Sequence, residues 1–107
     1  MVPEINGWVV NDEQVARIFL LGSRDIDELS EEEDICFSFF LLSTFHVFET
    51  IFLQNRFGTI DRSIWDSEIG SLRYLVAKPG VTAWWNANPL SFSSDFREFV
   101  RHEIQHE

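Results

Sequence analysis

The chain has 107 residues, with eight Lys and Arg against eighteen Asp and Glu, and a net charge of −10. This length supports one modest domain and excludes a multidomain machine, while the negative charge repels phosphate backbones and argues against nucleic acid as a partner. A single cysteine, Cys36, closes no intrachain bridge and excludes a disulfide scaffold. Ten of the acids lie in residues 1–34, so we expect one domain over 1–107 with an acidic N-terminal third.

The start of the sequence shows no basic stretch followed by an apolar run, so no signal peptide is predicted and a cytoplasmic location is expected. Residues 7–10 are ambiguous between strand and loop. Apolar residues then recur at helical spacing, which predicts a first helix over about 12–21, with Asn11 as its N-cap and Gly22 as its C-terminal stop.

Seven of the ten residues from Asp25 to Asp34 are acidic. One hypothesis is that they imitate a row of phosphates and bind a basic partner, which would make the protein a nucleic-acid mimic. The alternative is a solvated loop followed by a first helical turn, where acids are stabilised by the positive end of the helix dipole. A capping box of Ser30 and Glu33 favours the second interpretation.

The capping box predicts a long helix over 31–57, which Gly58 ends. Its segment 35–53 has twelve large apolar side chains in nineteen residues, which raises the question of a membrane span. The cost of placing Glu49 and its polar neighbours in a bilayer offsets the apolar gain, so insertion is marginal and no membrane partner is expected. A central helix buried among the others is expected instead.

Three further helices are predicted from stop signals and apolar stripes. They cover 62–77 with Asp61 as N-cap, a short segment that carries Trp84 and Trp85 and ends before Pro89, and a last helix capped by Ser93 or Ser94 that carries Phe96, Phe99, Val100 and Ile104. The predicted fold class is all-α, a small bundle or orthogonal array of about five helices around the long second helix.

The string His102-Glu103-Ile104-Gln105-His106 matches the H-E-x-x-H pattern of zinc metalloproteases. In that pattern two imidazoles one helical turn apart bind zinc, and the glutamate activates the zinc-bound water. Here the helical period puts both histidines on the flank of the last helix, and no third ligand follows the string. A zinc-dependent hydrolase is therefore kept as an alternative, and no cofactor is expected.

The long helix contains a histidine and a glutamate that could form a catalytic or metal-binding pair. His46 and Glu49 stand one turn apart and could relay a proton or bind a metal. We favour a local hydrogen bond, extended to an arginine such as Arg73, that keeps Glu49 on a semi-buried face. Cys36 lies among apolar residues with no base nearby, so a buried, inert thiol is expected.

The second half of the chain carries the motifs Gln54–Asp61, Trp65 and Pro79–Trp85 and the phenylalanines Phe92, Phe96 and Phe99. Through these motifs the segment from about Phe45 to Val100 resembles an uncharacterised group of small helical bacterial proteins. The resemblance implies a helical fold and no particular activity. Many members of that group look as though they carry an N-terminal membrane-spanning helix, whereas the N-terminus of this sequence is polar and acidic.

The function expected from these features is protein–protein contact, and an enzyme is not the first expectation. Adjacent tryptophans on one short helix point about 100° apart, so one of Trp84 and Trp85 is expected at the surface as a contact residue. The long helix is apolar on several sides, which makes Phe39 and Phe52 further interaction candidates. The leftover aromatic surface predicts a homodimer or an interface with another protein.

Overall fold

The computed structural model describes residues 4–5, 8–9, 12–88 and 91–105. Within them, five helices run as α1 Asp12–Arg24, α2 Glu31–Arg56, α3 Arg62–Val76, α4 Pro79–Ala87 and α5 Ser94–Gln105. Two short strands, β1 Glu4–Ile5 and β2 Trp8–Val9, pair antiparallel ahead of α1. The all-α class with five helices and a long second helix is confirmed, and the ambiguous segment contains β2, its two end residues lying outside the described part.

α1 continues through Gly22, where the sequence predicts a stop, and ends at Arg24. A Cβ added to Gly22 would lie 2.7 Å from the Phe37 ring of α2, and a Cβ added to Gly80 would lie 1.6 Å from the Gly22 carbonyl oxygen. A side chain at either glycine would therefore push the helices apart. The predicted stop is wrong because Gly22 is a point of close packing between helices and not a helix end.

Both ends of α2 are set by local interactions that the sequence predicts. The Glu33 amide donates to the Ser30 hydroxyl at 3.2 Å, and the Ser30 amide donates to the Glu33 carboxylate at 2.9 Å, which completes the capping box. After the last turn, Gly58 has a φ of 71°. A residue with a Cβ adopts this left-handed conformation only at a cost, so glycine ends the helix here.

The helices α3 and α5 begin where the sequence predicts, whereas no start was predicted for α4. Asp61 caps α3 by accepting a hydrogen bond from the Ser63 amide at 2.8 Å. Pro79 is the first residue of α4, where its missing amide removes no helical hydrogen bond. At the start of α5, the Ser93 hydroxyl accepts from the Phe96 amide at 3.4 Å.

One side of α2 lies at the centre of the hydrophobic core. Its residues Phe37, Leu41 and Phe45 are at most 1% exposed. The other members of the core come from the remaining helices and from the connection before α5: Ile18, Ile69, Leu72, Leu75, Val76, Val81, Trp84, Trp85, Phe92, Phe96 and Val100. This packing covers one side of α2 and leaves the opposite side at the surface, so the expectation of a helix buried among the others holds for one side only.

Candidate functional site

The side of α2 away from the core carries five exposed apolar residues, Ile35, Phe39, Phe40, Val47 and Leu53, which we call the outer face. Each of them is between 37% and 66% exposed. The 3.6-residue period of the helix places them within one broad stripe. The other exposed positions of this stripe are Ser43, His46, Thr50 and Gln54.

The outer face contains no Asp, Glu, Lys or Arg. Between Ile35 and Asn55 the one such residue in α2 is Glu49, and its carboxylate is turned to the start of α5, where it accepts a hydrogen bond from the Ser93 amide at 2.8 Å. The stripe from Ile35 to Leu53 is roughly 30 Å long at 1.5 Å per residue. In a chain with 24% charged residues, an uncharged apolar stripe of this length marks a surface suited to contact with another molecule.

His46 and Glu49 bind the connection between α4 and α5, and they do not bind each other. Nε2 of His46 lies 3.3 Å from the Ser91 carbonyl oxygen, and the imidazole stands edge-on to the Phe92 ring. The expected hydrogen bond between His46 and Glu49, with its extension to Arg73, is wrong. The reason is that residues 91–93 cross this part of α2 and offer backbone groups to both side chains.

Trp84 and Trp85 are both buried, at 2% and 4% exposure. Trp84 stacks on Phe45 with ring centroids 5.8 Å apart and donates its indole N–H to the Ser38 hydroxyl at 2.9 Å. Trp85 stacks on Phe92 with centroids 5.0 Å apart. The expectation that one tryptophan remains at the surface is wrong, because the connection before α5 folds back and supplies a second surface for the second ring.

The two phenylalanines proposed as contact residues have different environments. Phe39 is 66% exposed and lies on the outer face. Phe52 is half-buried against α5, with its ring centroid 5.6 Å from that of Phe96 and 5.1 Å from that of Phe99. Phe52 therefore joins α2 to α5, and Phe39 belongs to the candidate contact surface. Sequence reasoning did not single out the exposed β-branched residues of the outer face, although helical spacing from Phe39 indicates them.

In the C-terminal string that matches H-E-x-x-H, the glutamate forms an ion pair with an arginine of α3. Glu103 is 7% exposed, and its carboxylate accepts a hydrogen bond from Nε of Arg73 at 2.5 Å. His102 is exposed, and His106 lies outside the described residues. Among the residues that the structure describes, no three His, Cys, Asp or Glu side chains are grouped to hold a metal ion. A catalytic glutamate would face a metal-bound water, whereas Glu103 faces the interior and Arg73.

The acidic segment 25–34 contributes to the start of α2. The Glu33 carboxylate accepts hydrogen bonds from the Ser30 amide and from the Arg17 guanidinium of α1. The Ser30 amide, and after it Arg17, hold the pKa of Glu33 below its ordinary value of 4.5. These contacts support the interpretation of this segment as a loop and first helical turn.

Cys36 is half-buried beside the core. Burial raises the pKa of its thiol above the ordinary value of 9.0. The thiol is therefore protonated at neutral pH, and a protonated thiol is a poor nucleophile and metal ligand. This supports the expectation of an inert side chain.

In the described part of the chain, α2 is the one helix that is long and apolar enough to cross a membrane, judged by length and composition. Within its 18-residue apolar window, 17% of the residues are buried in the protein. Comparison with protein-family models, with curated proteins and with solved structures finds no match. The resemblance to small helical bacterial proteins stays a prediction, so a function has to be argued from the surface of the chain itself.

Proposed function

We propose that this protein acts through protein–protein contact and that its outer face binds the outer face of a second copy of the chain. The observation that carries the proposal is the uncharged apolar stripe of α2. Ile35, Phe39 and Val47 are each more than half exposed. Covering them with apolar groups of a partner removes their surface from water, which is the main favourable contribution to association.

The exposed area of the outer face approaches the size that a stable interface needs. With the aromatic value of about 200 Å² taken as an upper bound for all five side chains, the exposed fractions correspond to at most roughly 500 Å². Phe57, which is 77% exposed and follows α2 directly, adds roughly 150 Å² on the same estimate. A standard interface buries about 800 Å² on each partner, so the polar residues between and beside these side chains would complete it.

The charges at the two ends of α2 favour an antiparallel pair of helices. The first turn holds Glu31, Glu32, Glu33 and Asp34, and the last turn holds Arg56. Arg56 is itself paired with Asp95 of α5, so the antiparallel pair is favoured because it keeps the two acidic ends apart and because the helix dipoles oppose each other. A parallel pair would bring the two acidic ends together. The antiparallel arrangement has two-fold symmetry and hides both faces at once.

A second copy suits the outer face better than a lipid bilayer does. The opposite side of α2 carries the core residues Phe37, Leu41 and Phe45 and is packed against the rest of the domain. Insertion of α2 would either remove this packing or bring charged groups of the neighbouring helices, such as Arg73 and Glu103, into hydrocarbon. A second copy requires neither change. We include a cytoplasmic location in the same proposal.

Sedimentation of the whole chain tests the proposal. We expect a dimer at about 100 μM and dissociation near 1 μM, as for an interface of micromolar affinity. The double variant Phe39→Glu with Val47→Glu should be monomeric throughout this range, because two charges would be desolvated on each partner. Tyr74→Glu is the matched control, since Tyr74 is 71% exposed on α3 and outside the outer face.

A monomeric wild type at about 100 μM, or a double variant that dimerises as well as the wild type, would overturn the proposal. Circular dichroism of each variant checks that the helices are retained. Vesicles of neutral phospholipid are added in a separate experiment. A chain that is monomeric in water and sediments with the vesicles through Phe39 and Val47 would assign the outer face to a bilayer instead.

A further inference from the structure

A cleft of about 410 Å³ lies between the end of α4 and one side of α5. Its lining residues are Trp85, Asn86, Ser94, Arg97, Glu98 and Arg101. This volume falls within the range of small-molecule sites. We propose that the cleft binds a small molecule through an oxyanion, a carboxylate or phosphate group, that is held by Arg97 and Arg101. No residue of the outer face lines the cleft, so this proposal is independent of dimer formation.

Arg97 is the residue on which the proposal depends. Five other arginines each form an ion pair with a carboxylate: Arg17, Arg56, Arg62, Arg73 and Arg101. Arg97 is half-buried, and its Nε is fully buried with no hydrogen-bond acceptor in the described part of the chain. The two terminal guanidinium nitrogens of Arg97 are not among the buried atoms and form no ion pair with a described residue. In a protein with a net charge of −10, a half-buried arginine without an acid leaves these two nitrogens open to an acceptor from outside the chain.

The position of Arg101 adds a second cation to the same cleft. It follows Arg97 by four residues, so the two side chains emerge on one side of α5. Glu98 also lines the cleft and accepts a hydrogen bond from Arg101. Among the lining residues that the structure describes, one carboxylate accompanies two guanidinium groups, which leaves an excess of one positive charge. A guanidinium binds the two oxygens of a carboxylate or phosphate at once, which suits this arrangement.

The other lining residues indicate a ligand that is larger than a bare ion. Asn86 is exposed at the end of α4 and brings a carboxamide to the edge of the cleft. Trp85, which is 4% exposed, contributes only the edge of its side chain to the wall. Small-molecule sites combine a few polar groups of this kind with apolar walls. The oxyanion would be bound by the arginines, and the body of the ligand would lie along Trp85 and Asn86.

Nuclear magnetic resonance titration of the whole chain tests the proposal with two probes, inorganic phosphate and acetate, each at constant ionic strength against chloride. We expect saturable shifts of the Arg97 side-chain Nε–H and of the Asn86 amide, with an affinity of about 1 to 10 mM for at least one probe. Saturation by phosphate alone would identify a phosphate ligand, and saturation by acetate alone would identify a carboxylate ligand. Saturation by both would support a general oxyanion site.

Two substitutions of opposite charge give opposite expected results. Arg97→Gln should weaken the binding at least about tenfold, and Glu98→Gln should strengthen it about threefold because it removes the competing carboxylate. Arg62→Gln is the control, since Arg62 is an exposed arginine of α3 outside the cleft. The proposal is overturned if neither probe saturates by about 50 mM, or if Arg62→Gln lowers the affinity as much as Arg97→Gln.

Discussion

Gly80 places the backbone of α4 directly against that of α1, since a Cβ on Gly80 would lie 1.6 Å from the Gly22 carbonyl oxygen. The obstructing atom belongs to the backbone of a helix and cannot rotate away. Gly22 in turn faces the ring of Phe37 in α2. This one contact fixes the distance between α1 and α4 and the position of both beside α2.

Gly80→Ala should lower the free energy of unfolding by about 3 kcal/mol, because a methyl group has to separate two helix backbones. Gly70→Ala is the control, since Gly70 lies in α3 and nothing in the described structure is within 4 Å of its added Cβ. There we expect a gain of up to about 1 kcal/mol from helix propensity. Urea unfolding measures both values. If both variants changed the free energy of unfolding by the same amount, the backbones of α1 and α4 would not be in the close contact described here.

Gly58→Val should lower the free energy of unfolding by about 1 to 2 kcal/mol, because Gly58 has a φ of 71° that a β-branched residue adopts poorly. The space around it is open in the described structure, so a clash does not contribute. Gly58→Asn should cost less, since asparagine tolerates the left-handed conformation. Thermal unfolding of the two variants provides the comparison. A valine variant as stable as the wild type would place the end of α2 elsewhere.

Trp85→Ala should lower the free energy of unfolding by about 3 to 5 kcal/mol, as expected when a buried aromatic ring is removed. Trp85 is 4% exposed and contacts Phe45 and Phe92. Phe39→Ala is the matched variant, and it should change the stability of the monomer by no more than about 0.5 kcal/mol. Both are measured by urea unfolding at submicromolar concentration, where the monomer is expected. A larger loss of stability in Phe39→Ala than in Trp85→Ala would contradict the burial of Trp85.

Glu33→Gln should reduce the dependence of stability on pH. The pKa of Glu33 in the folded protein is held below 4.5 by the Ser30 amide and then by Arg17, so its ionised form stabilises the fold above the unfolded-state pKa. That contribution disappears as the pH falls through the folded-state pKa. Glutamine keeps the geometry of the capping box without the charge.

Arg17 is exposed and Glu33 is half-buried at the edge of the domain, so the expected difference between variant and wild type is a few tenths of a kcal/mol at pH 7. It should shrink towards zero between about pH 5 and pH 3. Urea unfolding at a series of pH values measures it. Asp66→Asn, which removes a carboxylate from the exposed ion pair with Arg62, shows the effect of a charge outside any helix cap. A Glu33→Gln difference that grows as the pH falls would contradict the direction of the pKa.

The starts of α2, α3 and α5 and the end of α2 were predictable because each depends on contacts within a few residues. Ser30 and Glu33, which form the capping box of α2, are three positions apart, and Asp61 caps the helix that follows it. Gly58 ends α2 because it adopts a left-handed backbone conformation that residues with a Cβ rarely adopt. The five-helix composition of the domain follows from such signals together with the apolar period.

Two features of the candidate sites were not predictable from the sequence. Trp84 packs on Phe45 of α2, and the burial of Trp85 as well depends on Phe92, which lies seven residues further along the chain and folds back over α4. The partner of Glu103 is Arg73, thirty residues away. A helical pattern shows that a side chain faces inwards, but it does not show which distant element meets it there.

The sequence by itself determined where α2, α3 and α5 begin, where α2 ends, and which sides of the helices are apolar, because short-range hydrogen bonds and the helical period set these features. The tertiary structure alone decided which apolar side of α2 is covered and which is left as the outer face. It also turned Gly22 from an apparent stop into a packing contact. The physical reason is that burial and close approach depend on residues far apart in the chain, and their distances exist only once the helices are packed.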